Sequence, residues 1–280
     1  MEAKQRTYSL IAFDMDGTLL DSEKQLHGPV LEAIALALAK GKRVALATGR
    51  TRSELEPYRT ALDAVPLGIL ASGAILYDFR AERTLWRATF TAEQLACLER
   101  AAQQEDALIL VKRDAGLLLE EDALQRWSRN ENAKEAALFW SNADYTRDLR
   151  AYLRSGPLGV EKVNLCHASA EARARTKKRL EGSGFETAES NRAVLEVSPP
   201  GVDKGSALLR LCELVGVRPE ESIAVGDADN DLPMLRAAGL GIAMGNAAPA
   251  VKAAAGAAVS DCDHDGCKEA IRRYLLSIDE

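Results

Sequence analysis

Two aspartates follow a short apolar strand candidate near the start of the chain. The stretch SLIAFDMDGTLLDS (residues 9–22) places Asp14 and Asp16 directly after this strand candidate, where residues i and i+2 face the same way. Two carboxylates about 4 Å apart repel each other by about 4 kcal/mol at an effective dielectric constant near 20. The pair is therefore expected to share a proton or to bind a cation, although acidic turns after strands also occur without any chemical role.

A second acidic cluster follows another apolar strand candidate. The stretch AVGDADNDLPML (residues 224–235) contains Asp227, Asp229, Asn230 and Asp231. Ligands of an open parallel sheet bind outside the carboxyl ends of its strands, so the two acidic clusters can converge there. Closely spaced carboxylate oxygens suit Mg²⁺, which commonly binds beside phosphate. The two clusters together predict a magnesium site.

Two further segments have the residue types that an anionic phosphoryl group requires. In ATGR, the residues Thr48, Gly49 and Arg50 follow the strand candidate RVAL and offer a hydroxyl, exposed backbone N–H groups and a helix start. In GVDKGSAL, Lys204 opens a helix candidate, and its ammonium could neutralise a phosphoryl group. Each feature alone is ordinary, but their joint occurrence in this order indicates a phosphate site.

These residues must be positioned by an alternating series of strands and helices. Strand candidates are YSLIAF, RVALAT, LGILAS, SIAVGD and GIAMG, and helix candidates are GPVLEAIALALAKG, RSELEPYRTAL, KGSALLRLCELVG, DLPMLRAAG and EAIRRYLLSI. Short apolar strands separated by helices predict a doubly wound, Rossmann-like α/β core with a parallel sheet covered on both faces.

The middle of the chain has a different pattern and predicts an inserted α+β domain. It is more charged, with helix candidates TAEQLACLERAAQQ and SAEARARTKKRLEGSG and strand candidates ALILV, GLLLE, VEKVNLC and AVLEVS. Its exit, SPPGVDKG, has paired prolines and a glycine that suit a stiff hinge. We therefore predict a core of residues 1–86 and 199–280 with an inserted domain at 87–198.

Composition excludes several classes of protein. The 280 residues are 47% hydrophobic, and 36 basic and 42 acidic residues give a net charge of −6 without a basic tract, which argues against nucleic acid as a partner. No apolar run approaches the length of a membrane helix or a signal peptide. The five scattered cysteines suit reduced thiols. We expect a cytoplasmic protein, a monomer or weak homodimer, without a membrane partner.

The four elements DMDGT, TGR, DKG and GDADND resemble, in this order, the motifs of the haloacid dehalogenase superfamily of phosphohydrolases. The resemblance is closest to its Cof-type branch, subfamily IIB, in which a cap domain is inserted between the second and third motifs. ASGAILYD and GIAMGNAAPAVKAAA are similar to two further stretches of that branch. The resemblance covers nearly the whole core, and it is specific for the reaction but not for the substrate.

The resemblance implies a role for each matching residue. Asp14 would be the nucleophile that forms an aspartyl-phosphate, and Asp16 would be the general acid and base. Mg²⁺ would be held by one Asp14 oxygen, the Asp16 backbone carbonyl and Asp227, with Asp231 as a direct or water-mediated ligand. Lys204 would hold Asp14 and the phosphoryl oxygens together. The phosphate and substrate would be bound by Met15, Asp16, Thr48, Gly49, Arg50, Ser72, Gly73, Lys204 and Asn230.

Two positions depart from the pattern of the Cof-type branch. Ser72 stands where that branch usually has asparagine, so a hydrogen bond attributed to that side chain would be altered. Asp229 adds a charge inside the fourth motif, and a solvent-facing turn residue is the favoured interpretation. Substrate choice is expected to depend on the cap, with Arg50, Lys162, Asn164 and Arg192 as candidate contacts that are individually more typical of surface charges or salt bridges.

One further acidic stretch suggests a metal site but fits none. DCDHDG (residues 261–266) copies the first half of an EF-hand loop, yet Arg272 stands where the loop needs glutamate. Cys262, His264 and Cys267 have no zinc-knuckle spacing and no evident fourth ligand. A loop bordering the active site is the favoured interpretation.

The sequence therefore predicts a Mg²⁺-dependent phosphatase that hydrolyses a small-molecule phosphomonoester, either a sugar phosphate or a nucleotide-like cofactor phosphate, through an aspartyl-phosphate. Two alternatives stay open at this point. A mutase would pass the phosphoryl group from Asp14 to an alcohol, and a non-catalytic sensor would only bind a phosphorylated ligand. Retention of Asp16 argues against the sensor, which needs no acid–base residue.

Overall fold

The computed structural model of the chain describes residues 7–114, 116–127, 140, 143–189 and 193–278. The chain folds into two compact units. Unit 1 comprises Met1–Gly49, Tyr58–Trp86 and Asp203–Glu280, and unit 2 comprises Arg50–Pro57 and Arg87–Val202. The second unit therefore interrupts the first at two places in the sequence.

The described residues form two sheets and a set of mostly short helices. The strands are β1 (Leu10–Phe13), β2 (Arg43–Ala47), β3 (Leu67–Leu70), β4 (Ile75–Asp78), β5 (Arg83–Arg87), β6 (Leu108–Arg113), β7 (Gly116–Glu120), β8 (Asp144–Thr146), β9 (Lys162–Cys166), β10 (Glu186–Glu189), β11 (Val194–Ser198), β12 (Ser222–Gly226), β13 (Leu240–Ala243) and β14 (Ala257–Ala258). The α-helices are α1 (Gly28–Ala39), α2 (Arg59–Leu62), α3 (Ala92–Gln103), α4 (Ala123–Trp127), α5 (Leu149–Arg154), α6 (Ala170–Leu180), α7 (Lys204–Leu214), α8 (Leu232–Ala237), α9 (Pro249–Ala254) and α10 (Gly266–Glu269).

The larger sheet has eight strands in the order β14-β13-β12-β1-β2-β3-β4-β5. The six strands from β14 to β3 are parallel, and β4 is antiparallel to β3. All four residues of β1 and all five residues of β12 are buried, as expected for strands with both faces covered. This parallel-sheet α/β core confirms the predicted fold class. The strand order also makes β12 a direct neighbour of β1, so the two acidic clusters leave the sheet side by side.

Two elements differ from their predictions, and local sequence explains the first difference. The predicted helix at 52–62 is a 3₁₀-helix at Ser53–Tyr58 followed by α2, because Pro57 lacks the N–H group that a continuous α-helix needs. The predicted C-terminal helix is α10 followed by a π-helical stretch at Ala270–Leu275. The other helix and strand candidates named above coincide with observed elements to within a few residues.

Unit 2 is built on a six-stranded sheet in the order β10-β11-β9-β6-β7-β8, in which only the β7–β8 pair is parallel. One face packs an apolar core against its helices, with Leu95, Leu98, Val163 and Leu165 among the buried residues. The other face has an apolar end that includes Trp127 and Trp140. Further along that face are two buried ion pairs.

The ion pairs explain why residues 50–57 belong to unit 2, which the sequence did not indicate. Lys112 on β6 donates to both carboxylate oxygens of Glu54, at 2.8 and 3.0 Å. Lys162, directly opposite Lys112 in the β6–β9 ladder, donates to Glu196 at 2.6 Å. Two lysines facing each other in a ladder are unfavourable unless each has an anionic partner, so Glu54 is needed where it lies.

Among the residues that the structure describes, no helix combines the length and the apolar character needed to cross a membrane.

A buried glutamate in unit 2 makes stability depend on pH. Glu161 is fully buried, accepts the Asp114 backbone N–H at 2.9 Å and lies 3.2 Å from the Arg87 guanidinium. Burial raises the pKa of Glu161 from 4.5 to about 7, although Arg87 opposes the shift. Because the folded state binds this proton more tightly, the contribution to stability is complete below pH 4.5 and is lost as the pH rises through 7.

We expect Glu161→Gln to flatten this pH dependence, because the amide keeps the shape of the side chain and never ionises. The unsubstituted protein should lose at most about 3 kcal/mol of unfolding free energy between pH 4.5 and 7.5 through this group, and the variant should lose correspondingly less. Urea unfolding followed by tryptophan fluorescence across this range measures the difference. Glu181→Gln, at an exposed glutamate of the same unit, is the matched control. Equal pH slopes for both variants would contradict the assignment.

Candidate active site

A buried lysine joins the two acidic clusters of unit 1. Lys204 Nζ lies 2.5 Å from Asp14 Oδ1 and 2.7 Å from Asp231 Oδ1. Only 1% of the Lys204 side chain is exposed, and both carboxylates are buried as well. The three residues are separated by 190 and 27 positions along the chain, so the fold alone brings them together.

Local sequence fixes Lys204 at the first position of helix α7. The carboxylate of Asp203 accepts the Ser206 backbone N–H at 2.7 Å, and the Ser206 hydroxyl accepts the Asp203 N–H at 3.0 Å. This reciprocal capping box defines where the helix begins. A lysine is unfavourable at a helix N-terminus because of the helix dipole, so the two buried carboxylates must offset that effect.

The acidic groups and Lys204 shift one another's pKa values, and burial shifts them as well. Burial raises the pKa of Asp14 well above its usual value, and the nearby Asp231 carboxylate raises it further, whereas Lys204 lowers it. Burial alone would lower the pKa of Lys204, but Asp14 and Asp231 raise it above its usual value. Lys204 is therefore a permanent cation here. Burial, and then Asp231, raise the pKa of Asp227 to about 6. The negative charge of Asp227 is therefore not fully compensated by neighbouring positive charge.

Gly17 and Thr18 shape the position of Asp227. The Thr18 hydroxyl donates to Asp227 Oδ1 at 3.0 Å. Gly17 has a φ of +84°, and a Cβ atom placed on it would lie 2.6 Å from Asp227 Oδ2. Only glycine allows this close approach, so the DMDGT turn and the Asp227 carboxylate fit directly together.

The donor set fits a divalent cation. One carboxylate oxygen from each of Asp14, Asp227 and Asp231 lies within 4.8 Å of the other two. Burial, and then repulsion from the Asp231 carboxylate, raise the pKa values of Asp14 and Asp227, and a hard cation would remove that cost. Asp231 differs, because Oδ1 accepts from Lys204 and Oδ2 accepts the N–H groups of Asp227 and Ala228 at 3.0 and 3.1 Å. Its role as a direct metal ligand stays a prediction.

The loop after β2 lies against a strained turn after β3. The buried Thr48 donates its N–H to the Ile69 carbonyl and accepts the Ser72 N–H at 2.9 Å through its own carbonyl. Ser72 has a left-handed backbone with φ 56° and ψ 29°. Gly73 lies so close to the Asp203 carbonyl that a Cβ atom would clash with it. The turn is therefore packed against the start of the helix that carries Lys204.

The other predicted site residues are placed as follows. Met15 is fully buried and Asp16 is partly exposed at the same turn. Gly49 follows Thr48, and Arg50, the first residue assigned to unit 2, is buried. Asn230 Oδ1 is buried and has no hydrogen-bond partner within the part of the chain that the structure describes. Asp229 is exposed in its turn, which confirms the prediction for that residue.

The structure places two of the predicted substrate contacts in the sheet of unit 2. Lys162 is fully buried in its ion pair with Glu196, which agrees with the salt-bridge interpretation rather than a surface position. Asn164 on the same strand is also buried. Arg192 lies outside the described residues. A role for these residues in substrate binding stays a prediction.

Sequence reasoning assigned no role to Thr18 or Asn246. Asn246 donates to the Gly17 carbonyl at 2.8 Å and accepts the Cys262 N–H at 3.1 Å. Both residues lie inside stretches that resemble family motifs, which was the available signal. Asn246 also ties the DCDHDG loop to the DMDGT turn, and Cys267 reinforces this by donating to the Thr18 carbonyl at 3.2 Å. The predicted position of that loop beside the site is confirmed.

Comparisons with known proteins identify the family of the chain. A family model described as haloacid dehalogenase-like hydrolase matches residues 11–271. The chain is 29% identical to pyridoxal phosphate phosphatase YbhA of Escherichia coli, over 96% of this chain and 100% of that protein. It is 30% identical to HMP-PP phosphatase of Serratia proteamaculans, over 88% of this chain and 86% of that protein.

A longer relative and a solved structure extend the comparison. The chain is 27% identical to the chloroplastic endoribonuclease YBEY of Arabidopsis thaliana over 96% of its own residues, but it spans only 47% of that protein. A crystal structure of a haloacid dehalogenase-like hydrolase from Bacteroides thetaiotaomicron superposes with a TM-score of 0.80 at 28% identity, covering 95% of this chain and 99% of that one.

The left-handed turn predicts the effect of changing Ser72. A non-glycine residue with a left-handed backbone costs about 1–2 kcal/mol, and asparagine tolerates this conformation better than serine. We therefore expect Ser72→Gly and Ser72→Asn to raise the unfolding free energy by up to about 1 kcal/mol, with Ser72→Ala as the control that gains nothing. Thermal unfolding measures the change. If neither variant were more stable than the alanine control, the left-handed backbone at residue 72 would not lower the unfolding free energy.

The hydrogen bonds of Asp231 predict unequal effects on magnesium binding. Asp227→Asn should weaken Mg²⁺ binding by more than about 100-fold if Asp227 is a direct ligand, whereas the loss in Asp231→Asn should stay within the roughly 10- to 100-fold range typical of outer-shell partners. Isothermal titration calorimetry with MgCl₂ measures both. Complete loss of binding in Asp231→Asn, matching that in Asp227→Asn, would instead make Asp231 a direct ligand.

Proposed function

Because this chain belongs to the haloacid dehalogenase-like hydrolase family, we propose that it is a Mg²⁺-dependent phosphatase that hydrolyses a small-molecule phosphomonoester through an aspartyl-phosphate on Asp14. The observation that carries this proposal is the buried contact of Lys204 with Asp14 and Asp231, beside Asp227. Carboxylates and a fixed ammonium gathered at the carboxyl edge of a parallel sheet suit phosphoryl transfer, which depends on positioning and charge compensation.

In the first half-reaction, a carboxylate oxygen of Asp14 bonds to phosphorus as the bond between phosphorus and the ester oxygen breaks. Asp16 gives its proton to the departing oxygen, so the alcohol leaves neutral and Asp16 becomes a carboxylate. Lys204 stays protonated throughout and compensates negative charge on Asp14 and on the transferring oxygens. Asp231 keeps Lys204 in this position through its ion pair.

In the second half-reaction, water attacks the phosphorus of the aspartyl-phosphate. Asp16, now a carboxylate, takes a proton from that water, and the bond between phosphorus and the Asp14 oxygen breaks. Inorganic phosphate leaves, and both aspartates return to their starting states. Asp16 therefore acts as the acid in the first half-reaction and as the base in the second.

The metal site would be formed by Asp14, the Asp16 backbone carbonyl and Asp227, with Asp231 as a direct or water-mediated ligand. Mg²⁺ held there would act as a Lewis acid that neutralises charge on the phosphoryl oxygens. The phosphoryl group would also be bound by the Thr48–Arg50 loop, the Ser72–Gly73 turn and Asn230. The buried, unpartnered Asn230 Oδ1 in the described structure supports a binding role for this residue.

The substrate class is part of this proposal. The similarity to a pyridoxal phosphate phosphatase and an HMP-PP phosphatase supports a small phosphorylated metabolite. Within that class we propose a sugar phosphate or a nucleotide-like cofactor phosphate, as predicted from the sequence. We also propose unit 1 as the catalytic domain and unit 2 as the domain that sets substrate choice. A cytoplasmic location and a monomeric or weakly dimeric state remain predictions from the sequence.

We expect Asp14→Asn to abolish phosphate release, because an amide cannot form the aspartyl-phosphate. With p-nitrophenyl phosphate and MgCl₂, the rate should fall by at least about 10³-fold, and EDTA should abolish turnover by the unsubstituted protein. Asp229→Asn, at an exposed acid of the second cluster, is the control that should keep its activity. Assays of released phosphate over a panel of phosphomonoesters complete the measurement.

Three outcomes would contradict the proposal in different ways. Unchanged activity in Asp14→Asn would show that Asp14 is not the nucleophile. Phosphate transfer to an added alcohol in place of release would favour the mutase. Binding of Mg²⁺ without turnover of any ester in the panel would favour the sensor.

A further inference from the structure

Thr18 contacts the carboxylate of Asp227 through its hydroxyl group. Thr18 Oγ1 donates to Asp227 Oδ1 at 3.0 Å, and only 2% of Thr18 is exposed. The other carboxylate oxygen, Oδ2, lies against Gly17, where it is the atom that an added Cβ would meet at 2.6 Å. Both oxygens of Asp227 therefore lie against the DMDGT turn, one on a hydroxyl donor and one on backbone.

The backbone that carries the Thr18 hydroxyl is held by two other segments of unit 1. Asn246 Nδ2 donates to the Gly17 carbonyl at 2.8 Å. The buried Cys267 thiol donates to the Thr18 carbonyl at 3.2 Å. Within the turn, the Thr18 N–H donates to the Met15 carbonyl at 3.4 Å. The hydroxyl therefore extends from a backbone whose position is set by its neighbours.

The backbone of Asp227 is held as well, so rotation of its side chain is the freedom that Thr18 restricts. The Asp227 N–H donates to Asp231 Oδ2 at 3.0 Å, and its carbonyl accepts the Ala248 N–H at 3.1 Å. The last torsion of an aspartate side chain has a broad energy minimum, so a carboxylate without a donor rotates easily. The hydrogen bond from Thr18 opposes that rotation in Asp227.

Hydrogen bonds to the carboxylates limit how many oxygens they offer to a cation. Thr18 donates to one oxygen of Asp227, and Lys204 donates to one oxygen of Asp14. Both oxygens of Asp231 also accept hydrogen bonds. Such a set favours binding through one oxygen of each carboxylate. Mg²⁺ suits this arrangement because it needs near-octahedral geometry and keeps several waters, whereas Ca²⁺ takes more ligands and accepts carboxylates through both oxygens.

We propose that Thr18 is a positioning residue that makes Asp227 a one-oxygen ligand and thereby favours Mg²⁺ over Ca²⁺. This inference rests on the metal site of the proposed function. Without the hydroxyl, the Asp227 carboxylate is free to turn and offer both oxygens. That change suits Ca²⁺, while Mg²⁺ loses a ligand that was already oriented.

Thr18→Val tests this role because valine keeps the shape of the side chain and removes the hydroxyl. We expect the Kd for Mg²⁺ to rise by about tenfold, the lower end of the roughly 10- to 100-fold loss seen when a group that orients a metal ligand is removed. The Kd for Ca²⁺ should change by less than about threefold, because binding through both oxygens replaces the lost orientation. Isothermal titration calorimetry with MgCl₂ and with CaCl₂ measures both values.

Three further variants serve as controls. Thr18→Ser keeps a hydroxyl and should retain the ratio of the two Kd values. Thr18→Ala also removes the hydroxyl, and it repeats the test if Thr18→Val does not fold. Thr84→Val, at an exposed threonine of β5, makes the same substitution elsewhere in unit 1 and should change neither Kd.

The ratio of the two Kd values separates positioning from a structural role, because damage to the fold weakens the binding of both ions alike. An equal rise of both Kd values in Thr18→Val, or no change in either, would overturn this inference alone. The same holds if Thr18→Ser lost the Mg²⁺ preference as fully as Thr18→Val. Failure of the unsubstituted protein to bind either ion would overturn the metal site of the proposed function, and this inference with it.

Discussion

Lys204 forms buried ion pairs that fix the relative positions of three segments of unit 1. Its ammonium is almost fully buried between Asp14 and Asp231, and burying three charges is costly unless each has a partner. Removing one member of such a cluster typically costs about 3–5 kcal/mol, because the others lose compensation. The helix start at Asp203, the end of β1 and the turn after β12 must therefore hold fixed positions relative to one another.

The cluster of Asp14, Asp227, Asp231 and Lys204 has three acidic groups and one basic group. This excess of acidic groups favours the binding of a cation. Lys204 offsets part of the charge of Asp14 and Asp231, while Asp227 remains with a pKa raised to about 6 by burial and by Asp231. Such a site is suited to bind a divalent cation. A divalent cation bound there would offset this imbalance, and together with Lys204 it would compensate the negative charge of a phosphoryl group.

Some of these features could be predicted from the chain and some could not. The apolar strand before Asp14 and the one before Asp227 were readable, because fully buried parallel strands appear as continuous apolar runs. The sequence predicted segment 50–57 as part of the core, because nothing local indicates that Glu54 pairs with Lys112 and so belongs to unit 2. The left-handed backbone at Ser72 and Lys24 was equally invisible, because the surrounding packing and hydrogen bonds impose it against the preference of both residues.

The α/β fold class, the order of the main elements and the residue types that follow the strands could be predicted from the sequence. These follow from periodicity, capping residues and short motifs, which act over a few neighbouring positions. The position of Lys204 between Asp14 and Asp231, and the hydrogen bonds that occupy both oxygens of Asp231, were found in the folded structure. Contacts across 190 positions depend on strand order and helix packing, and no local sequence pattern encodes these.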